Sequence, residues 1–283
     1  MALAHTYNFE AIGTPWTIDT SKPLSLHEKQ EIHALIDNFD RAYSRFRADS
    51  LVSIARQKRG SYDFPATIGP LFDAYSALER ATNGAVNPLV GEALEHLGYD
   101  AQYSLKPVTA QPVKPLRLHE TVTRSGNTLT LQHPVLLDFG AVGKGYLVDL
   151  VAEYIAQHHE QYVVEAGGDM RIATSEPYTV GLENPLDTTE VIGTVSLQNA
   201  SICASSPNRR TWGEGLHHII DARTGKPTTS DIIATWAIAP SALQADALTS
   251  ALFFTPAAEL QDTFGNFTYM LIKSDGRVEH NIG

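Results

Sequence analysis

Two amphipathic helices are predicted in the first third of the chain. Ser25 and Glu28 have the spacing of a capping box, in which the serine oxygen accepts the backbone N–H of the glutamate and the glutamate reaches back. A helix is expected to follow, because apolar residues recur on one face at helical spacing. The same spacing predicts a second helix that ends near Asn83 and Gly84. The apolar positions are Ile32, Leu35, Ile36, Phe39, Tyr43 and Phe46 in the first helix and Leu71, Phe72, Tyr75 and Leu78 in the second.

The second half of the chain is rich in predicted strands. Two helices interrupt them, one beginning at Lys144 or Gly145 and one running from Ser241 through Phe254. Because strands cluster instead of alternating strictly with helices, the pattern favours an α+β fold with mixed, largely antiparallel sheets and packed helices. The strand candidates are 9–18 with a break at 13–15, 128–132, 135–138, 162–165, 170–174, 178–182, 191–197, 216–220, 232–239 and 268–273.

The length of 283 residues is compatible with one large domain or with two domains of about 150 residues each. Residues 101–120 contain three prolines and little periodicity, which is typical of a loop or an irregular edge. We therefore predict a single domain over residues 1–283, which can divide into two lobes, with a loop region near residues 101–125.

The composition excludes several classes of partner. The chain carries a net charge of −11 and has no run of Lys or Arg, so neither nucleic acid nor an anionic membrane surface is expected to bind it. An anionic ligand would have to be held locally, by backbone N–H groups, one or two lysines, or a metal ion. One cysteine, Cys203, excludes an internal disulfide and a zinc site of paired thiolates. No signal peptide or membrane-spanning run is recognisable, so we expect a cytoplasmic protein, with an exported form whose signal has been trimmed left open.

A glycine-rich segment from Asp138 to Tyr146 lies between an apolar run and a predicted helix. Its glycines let the backbone approach a ligand closely, and the N–H groups at a helix start favour an anion such as phosphate. The segment is neither a Walker A loop, since Gly145 replaces the required Ser or Thr, nor a G-x-G-x-x-G motif. Two interpretations stay open, an anion site and a structural turn.

A carboxylate and a hydroxyl share one face of the predicted late helix. Asp246 and Ser250 are four residues apart, and such a pair with added water suits Mg²⁺, which prefers oxygen ligands. Taken alone, a solvated aspartate beside an ordinary helix serine explains the pair better.

The third motif, residues 217–225, offers His218 as a general acid or base and Asp221 to orient it or to cap the turn. The fourth, residues 166–169, is a β-turn or a binding turn.

Together these segments resemble the ApbE family, the FAD:protein FMN transferases. The family pattern Asp-Leu-Gly-Gly/Ala-x-Ala-Lys-Gly-Tyr is similar to residues 138–146, and Ala-Gly-Gly-Asp is similar to residues 166–169. The pattern His-Ile-Ile-Asp-Pro-x-Thr-Gly resembles residues 218–225, with Ala222 in place of proline, and Ala-Asp-Ala-Leu-Ala-Thr resembles residues 245–250. Weaker similarity covers 12–16, 44–50 and 83–87, so that the resemblance extends from Phe9 to Lys273.

The resemblance implies that FAD lies between a larger and a smaller lobe. It also implies transfer of FMN from FAD to a Ser or Thr hydroxyl of an acceptor flavoprotein, with release of AMP. Mg²⁺ would be held at the pyrophosphate by the Ala141 carbonyl, Asp246 and Ser250. The other residues that the resemblance places at FAD are Asp138, Lys144, the backbone of Ile220, Ile12, Phe46, Ala85, Val86 and Asn87.

Three residues receive specific roles. His218 is predicted to take the proton of the acceptor hydroxyl, whereas His217 would face the opposite side of a strand. Asp221 would hold the imidazole or accept the proton itself. Lys144 is predicted to act on the nucleotide and not on the protein's own acids, because a helix start disfavours a cation unless an anion is present.

Two other functions stay open at this point. One is a FAD pyrophosphatase that releases FMN and AMP to water, and the other is a non-catalytic FAD-binding protein.

Overall fold

The computed structural model describes residues 3–108 and 114–282. The helices in these ranges are α1 (Leu26–Tyr43), α2 (Leu51–Ala55), α3 (Ile68–Ala81), α4 (Gly91–His96), α5 (Leu118–Thr121), α6 (Gly143–Ala156), α7 (Ala242–Ala251) and α8 (Ala257–Phe264), with 3-10 turns at Pro88–Val90 and Pro207–Arg209. The strands are β1 (His5–Ala11), β2 (Thr14–Thr20), β3 (Gly60–Asp63), β4 (Val122–Ser125), β5 (Thr128–Leu131), β6 (Tyr162–Ala166), β7 (Asp169–Ala173), β8 (Tyr178–Asn184), β9 (Asp187–Leu197), β10 (Ala200–Ser205), β11 (Thr211–Trp212), β12 (Leu216–His217), β13 (Ile220–Asp221), β14 (Lys226–Pro227), β15 (Ile232–Ala239), β16 (Thr268–Lys273) and β17 (Val278–His280).

An eight-stranded sheet forms the centre of the fold, in the order β1-β2-β6-β7-β10-β15-β16-β17. All neighbouring strands in it run antiparallel, which confirms the predicted α+β class. Strand β10 was missed because its sequence, Ala-Ser-Ile-Cys-Ala-Ser, is short of large apolar residues. Small side chains suffice there because α7 lies close, and the Cys203 thiol donates to the Ala242 carbonyl at 3.4 Å.

Three strand predictions were wrong. Residues 9–18 belong to two strands that form a hairpin, and the chain reverses at Ile12 (φ 48°) and Gly13 (φ 72°), the left-handed pair that a two-residue hairpin turn requires. Residues 135–138 belong to no strand. Residues 216–220 divide into β12 and β13, which pair with β11 and β14 respectively. Apolar periodicity alone cannot distinguish a strand from an extended connection.

The two faces of the main sheet are covered by different elements. On β6, Val164 belongs to the core shared with the helices, whereas the preceding Val163 packs with Val180 and Val195 of the β8–β9 hairpin. This division follows from the alternation of side chains along a strand. The helical layer on one face contains α6, which begins within the glycine-rich segment, and α7, which packs against α6.

Helices α6 and α7 are joined by side-chain-to-backbone hydrogen bonds. The Asp149 carboxylate accepts the N–H groups of Ala242 (2.9 Å) and Leu243 (2.8 Å), which would otherwise be unpaired at the start of α7. Further along, the N–H of Gly145 donates to Asp246 Oδ2 at 2.9 Å. The close approach fixes Asp246 against the start of α6.

Gly145→Ala is expected to destabilise the protein by about 1–3 kcal/mol, because overpacking in a tight contact costs that much. A Cβ at this position would clash with the Ala242 carbonyl oxygen and lie 2.7 Å from Cβ of Asp246. Gly143→Ala is the matched control, since its Cβ would meet Cβ of Phe139 at an ordinary 3.6 Å. Urea unfolding of both variants tests this, and an equal midpoint for the two would contradict the close contact.

Candidate functional site

A cavity of about 620 Å³ lies where the β1–β2 turn, the segment after α1, the start of α6 and the end of α7 come together. Two of the predicted site residues, Ala85 and Asp221, are absent from its lining. The structure brings the others together in its wall, namely Ile12, Phe46, Val86, Asn87, Asp138, Ala141, Lys144, His218, Ile220, Asp246 and Ser250.

Three oxygen-bearing groups meet at the floor of this cavity. The Ser250 hydroxyl donates to the Ala141 carbonyl at 3.1 Å, and Asp246, one turn earlier on α7, lines the same floor. Asp246 is only 4% exposed and is held by the N–H of Gly145. The predicted metal-binding residues, from two segments more than a hundred positions apart, are therefore neighbours.

A second carboxylate, Asp169, lies behind Asp246 and is completely buried. No donor in the described ranges makes a well-aligned hydrogen bond to either of its oxygens. Burial, and then repulsion by Asp169, raise the pKa of Asp246 well above its usual value. With Lys144 beside them, the floor holds two carboxyl groups and one ammonium, so it favours a further cation or a proton.

The contacts of Lys144 contradict the prediction that was made from its position at a helix start. Its Nζ lies 2.5 Å from Asp169 Oδ2 and donates to the Ala166 carbonyl at 3.1 Å. Burial is the largest single influence and lowers the pKa of Lys144, but the combined attraction of Asp169 and Asp246 outweighs it, and the net shift is upward. The expectation that Lys144 avoids the protein's own acids was wrong, because β7 begins beside the start of α6. Its contact with a nucleotide stays a prediction.

Lys144→Ala is consequently expected to destabilise the apo protein by about 3 kcal/mol, since deleting one partner of a buried ion pair leaves an uncompensated charge. This loss of unfolding free energy should shrink as the pH falls. Burial raises the pKa of Asp169, and protonation of Asp169 removes the buried charge that Lys144 no longer compensates. The double variant Lys144→Ala/Asp169→Asn is expected to recover most of the loss. Chemical unfolding across pH is the measurement, and a pH-independent deficit with no recovery would contradict the pairing.

Asp138 stabilises the glycine-rich turn from within. Its Oδ1 accepts the N–H of Gly140 at 2.7 Å, and its Oδ2 lies 2.5 Å from Nε of Arg45. The Arg45 side chain is only 1% exposed and also donates to the Tyr99 carbonyl at 2.7 Å. Sequence reasoning missed Arg45, and nothing local indicates it, because arginine is rarely so deeply buried.

Aromatic rings close the other end of the cavity. Phe46, Tyr99 and Tyr103 line it, and the Arg45 guanidinium carbon lies 4.1 Å from the centroid of the Phe46 ring. Tyr99 in turn accepts a hydrogen bond from Arg210 at 2.6 Å on its hydroxyl. This end can stack a planar ring, whereas the floor is polar.

The two histidines differ in their position relative to the cavity. His218 lines the cavity, whereas His217 pairs with Thr211 across β11–β12 and is absent from the lining. Burial, and then the nearby Arg210 charge, lower the pKa of His218 to about 4. The imidazole is therefore neutral near pH 7 and able to accept a proton.

The Asp221 carboxylate is bound by groups of its own turn. Its Oδ2 lies 2.7 Å from an Arg223 nitrogen, and its Oδ1 accepts the Arg223 N–H at 2.9 Å. The next residue, Ala222, donates from its N–H to the Ala85 carbonyl at 2.9 Å. These bonds hold the segment bearing Ile220 against residues 85–87 and direct neither Asp221 nor Ala85 to the cavity.

Asn87 lines the cavity and also binds neighbouring backbone groups. Its Oδ1 accepts the Leu89 N–H at 2.8 Å, and its Nδ2 donates to the Leu116 carbonyl at 3.2 Å. Next to it, Val86 supplies an apolar wall and Ile12 contributes the tip of the β1–β2 turn.

The cavity lining brings cations and carboxylates together in an acidic protein. Most of these cations are ion-paired, Arg45 with Asp138, Arg47 with Asp40, Lys144 with Asp169 and Arg209 with Glu183. Arg210 forms no ion pair within the described ranges, so its charge favours an anionic ligand. The cationic residues are Arg45, Arg47, Lys144, Arg209 and Arg210, and the acidic ones are Asp40, Asp138 and Asp246.

Two other kinds of feature are absent from the described ranges, a cluster of metal-ligating side chains and a membrane-spanning helix. No group of three or more His, Cys, Asp and Glu side chains within residues 3–108 and 114–282 is arranged to hold a metal ion. None of the helices formed by the same residues has the length and apolar character needed to cross a membrane.

Fold and cavity together define an α+β protein that can hold an anionic ligand with a planar ring. The family model of the ApbE family matches residues 12–268, and the chain therefore belongs to the ApbE family. Among curated relatives, the FAD:protein FMN transferase of Vibrio cholerae serotype O1 is 29% identical over 87% of this chain and 77% of its own. The enzyme of the same name from Escherichia coli K12 is 25% identical over 93% of this chain and 83% of its own.

Solved structures agree on the fold. The ApbE protein of Thermotoga maritima superposes with a TM-score of 0.84 at 23% identity, covering 98% of this chain and 96% of that one. The flavin transferase ApbE of Vibrio cholerae gives 0.81 at 23% identity, with the same two coverages.

Proposed function

We propose that this protein is an enzyme that transfers FMN from FAD to a Ser or Thr hydroxyl of an acceptor flavoprotein and releases AMP. The curated relatives bear the name of that activity and match along most of their length. The observation that carries the proposal is the cavity in which the Ala141, Asp246 and Ser250 oxygens and the neutral His218 imidazole share one wall. It combines a cation-attracting floor with a proton acceptor and an aromatic end.

The floor fits Mg²⁺ as the resident metal. A carbonyl, a hydroxyl and a carboxylate are hard oxygen ligands, and the buried carboxyl pair of Asp169 and Asp246 exceeds the charge of Lys144. The Ala141 carbonyl, Asp246 and Ser250 would hold the ion. When bound, it would neutralise charge on the pyrophosphate and on the departing phosphate.

The chain's own residues then account for the remaining chemistry. The acceptor oxygen bonds to the flavin-side phosphorus of FAD, the bond from that phosphorus to the bridging oxygen breaks, and AMP leaves with that oxygen. His218, which lines the cavity, is the residue that we assign to take the hydroxyl proton. Arg210, which lines the cavity and forms no ion pair within the described ranges, attracts the dinucleotide. Asp221, held by Arg223, keeps the β13 segment in place and takes no proton.

Incubation with FAD, Mg²⁺ and an apo-flavoprotein that carries a threonine target tests this function. Intact mass spectrometry is expected to show one FMN added to the acceptor, with AMP appearing in equal amount. Release of FMN and AMP at the same rate without any acceptor adduct would identify a pyrophosphatase instead. FAD that stays intact with excess Mg²⁺ and acceptor would identify a binding protein.

A further inference from the structure

Tyr103 is held less firmly than the other rings at the aromatic end of the cavity. Tyr99 and Trp212 are buried, and their rings stack at 5.3 Å. Tyr103 also lines the cavity but is 53% exposed, and its ring contacts Phe46 and Tyr99. It is therefore the ring that can move without opening the core.

The backbone of this loop fixes the direction in which the ring points. Tyr103 has a φ of 51°, a left-handed conformation that is unfavourable for a bulky side chain. Asp100 maintains it, because its carbonyl accepts the N–H of Tyr103 at 3.0 Å and its Oδ1 accepts the N–H groups of Gln102 and Ser104. The hydrogen bonds to Asp100 therefore hold the backbone conformation that presents the Tyr103 ring to the cavity.

The ring of Tyr103 has the position that a planar ligand would take. It lies 5.2 Å from the Phe46 centroid with the two planes only 9° apart, which is an offset stack. The Arg45 guanidinium covers the Phe46 ring as well, at 4.1 Å. A flat heterocycle can stack on Phe46 at this place only if Tyr103 moves outward.

We propose that Tyr103 is a positioning residue that clamps a planar nitrogen heterocycle of FAD against Phe46. The heterocycle enters between the two rings, and the direct Phe46–Tyr103 stack becomes a stack of three layers. The inference rests on the proposed function, since it takes FAD as the ligand. Both the isoalloxazine and the adenine of FAD have the required shape, and titration with the two halves of the dinucleotide distinguishes them.

The test is binding of FMN and of ADP, each titrated separately in the presence of Mg²⁺. Tyr103→Ala is expected to raise Kd for one of these ligands about 3- to 10-fold, the range expected for a lost aromatic stack. Tyr103→Phe keeps the ring and is expected to bind like the wild type. Leu105→Ala is the matched control, because Leu105 shares the loop and a left-handed φ of 53° but does not line the cavity.

Each result has one meaning. If Tyr103→Ala binds FMN more weakly and ADP normally, the clamp is supported and its ligand is the isoalloxazine. If Tyr103→Ala binds ADP more weakly and FMN normally, the clamp is supported and its ligand is adenine. Unchanged binding of both by Tyr103→Ala would overturn the inference, as would equal weakening of both or the same effect from Leu105→Ala. A wild-type protein that binds neither ligand would overturn the proposed function as well, which separates the two failures.

Discussion

Asp246→Ala is expected to reduce FMN transfer by at least about 10³-fold, because a metal ion contributes several kcal/mol to such a reaction. Asp246 supplies the only formal charge among the three groups that we assign to Mg²⁺. The apo protein should stay folded, with an unchanged or higher Tm. Burial and Asp169 raise the pKa of the Asp246 carboxyl, so that its charge is unfavourable in the absence of a cation. Single-turnover transfer and thermal unfolding measure the two effects.

Asp246→Asn is the matched control for the backbone contact. An asparagine oxygen can still accept the Gly145 N–H that Asp246 now accepts at 2.9 Å, so this variant removes the charge and keeps the geometry. It should lose transfer as severely as alanine does. Ser250→Thr retains the hydroxyl and should be tolerated or mildly beneficial, since its methyl restricts the rotamer. Near-normal transfer by Asp246→Ala at sub-millimolar Mg²⁺ would refute the metal assignment.

His218→Asn is expected to bind FAD and Mg²⁺ nearly normally and to lose about 10²–10⁴-fold in transfer, the usual contribution of a general base. The base must be deprotonated to act, and burial lowers the pKa of His218 to about 4. At saturating Mg²⁺, kcat/KM of the wild type should therefore be constant down to about pH 5 and decline as the pH falls through about 4. In His218→Asn this decline should be absent.

The neighbouring histidine provides the control. His217 is half-buried, its Nδ1 accepts the Ile219 N–H at 3.3 Å, and it lies outside the cavity lining. His217→Asn should change transfer little. If both variants show the same small effect, His218 is a packing residue, and another group removes the proton.

The local predictions that depended on sequence spacing agree with the structure. The capping box at the start of α1 is present, with Ser25 Oγ accepting the Glu28 N–H at 3.2 Å and Glu28 accepting the Ser25 N–H at 2.7 Å. The helix spacing of Asp246 and Ser250 places both in one lining. These features involve residues three or four positions apart, where helix geometry alone sets the distance.

Strand predictions were less reliable for a physical reason. A ladder depends on a partner strand, and the partner is not encoded in the strand's own periodicity. Residues 135–137 are as apolar as a strand and are buried, yet they belong to no strand, whereas the small residues of β10 occupy a central place in the sheet.

The fold class, the family and the order of the segments that form the cavity wall could all be predicted from patterns along the chain. Which charges meet in that wall depends on the packing of distant elements. Arg45 pairs with Asp138 across 93 positions, and Lys144 pairs with Asp169 because β7 lies beside α6. Asp221, by contrast, pairs with Arg223 and not with the imidazole. A side chain's partner depends on which elements pack together and how far burial removes competing water, and neither quantity is a property of any one segment.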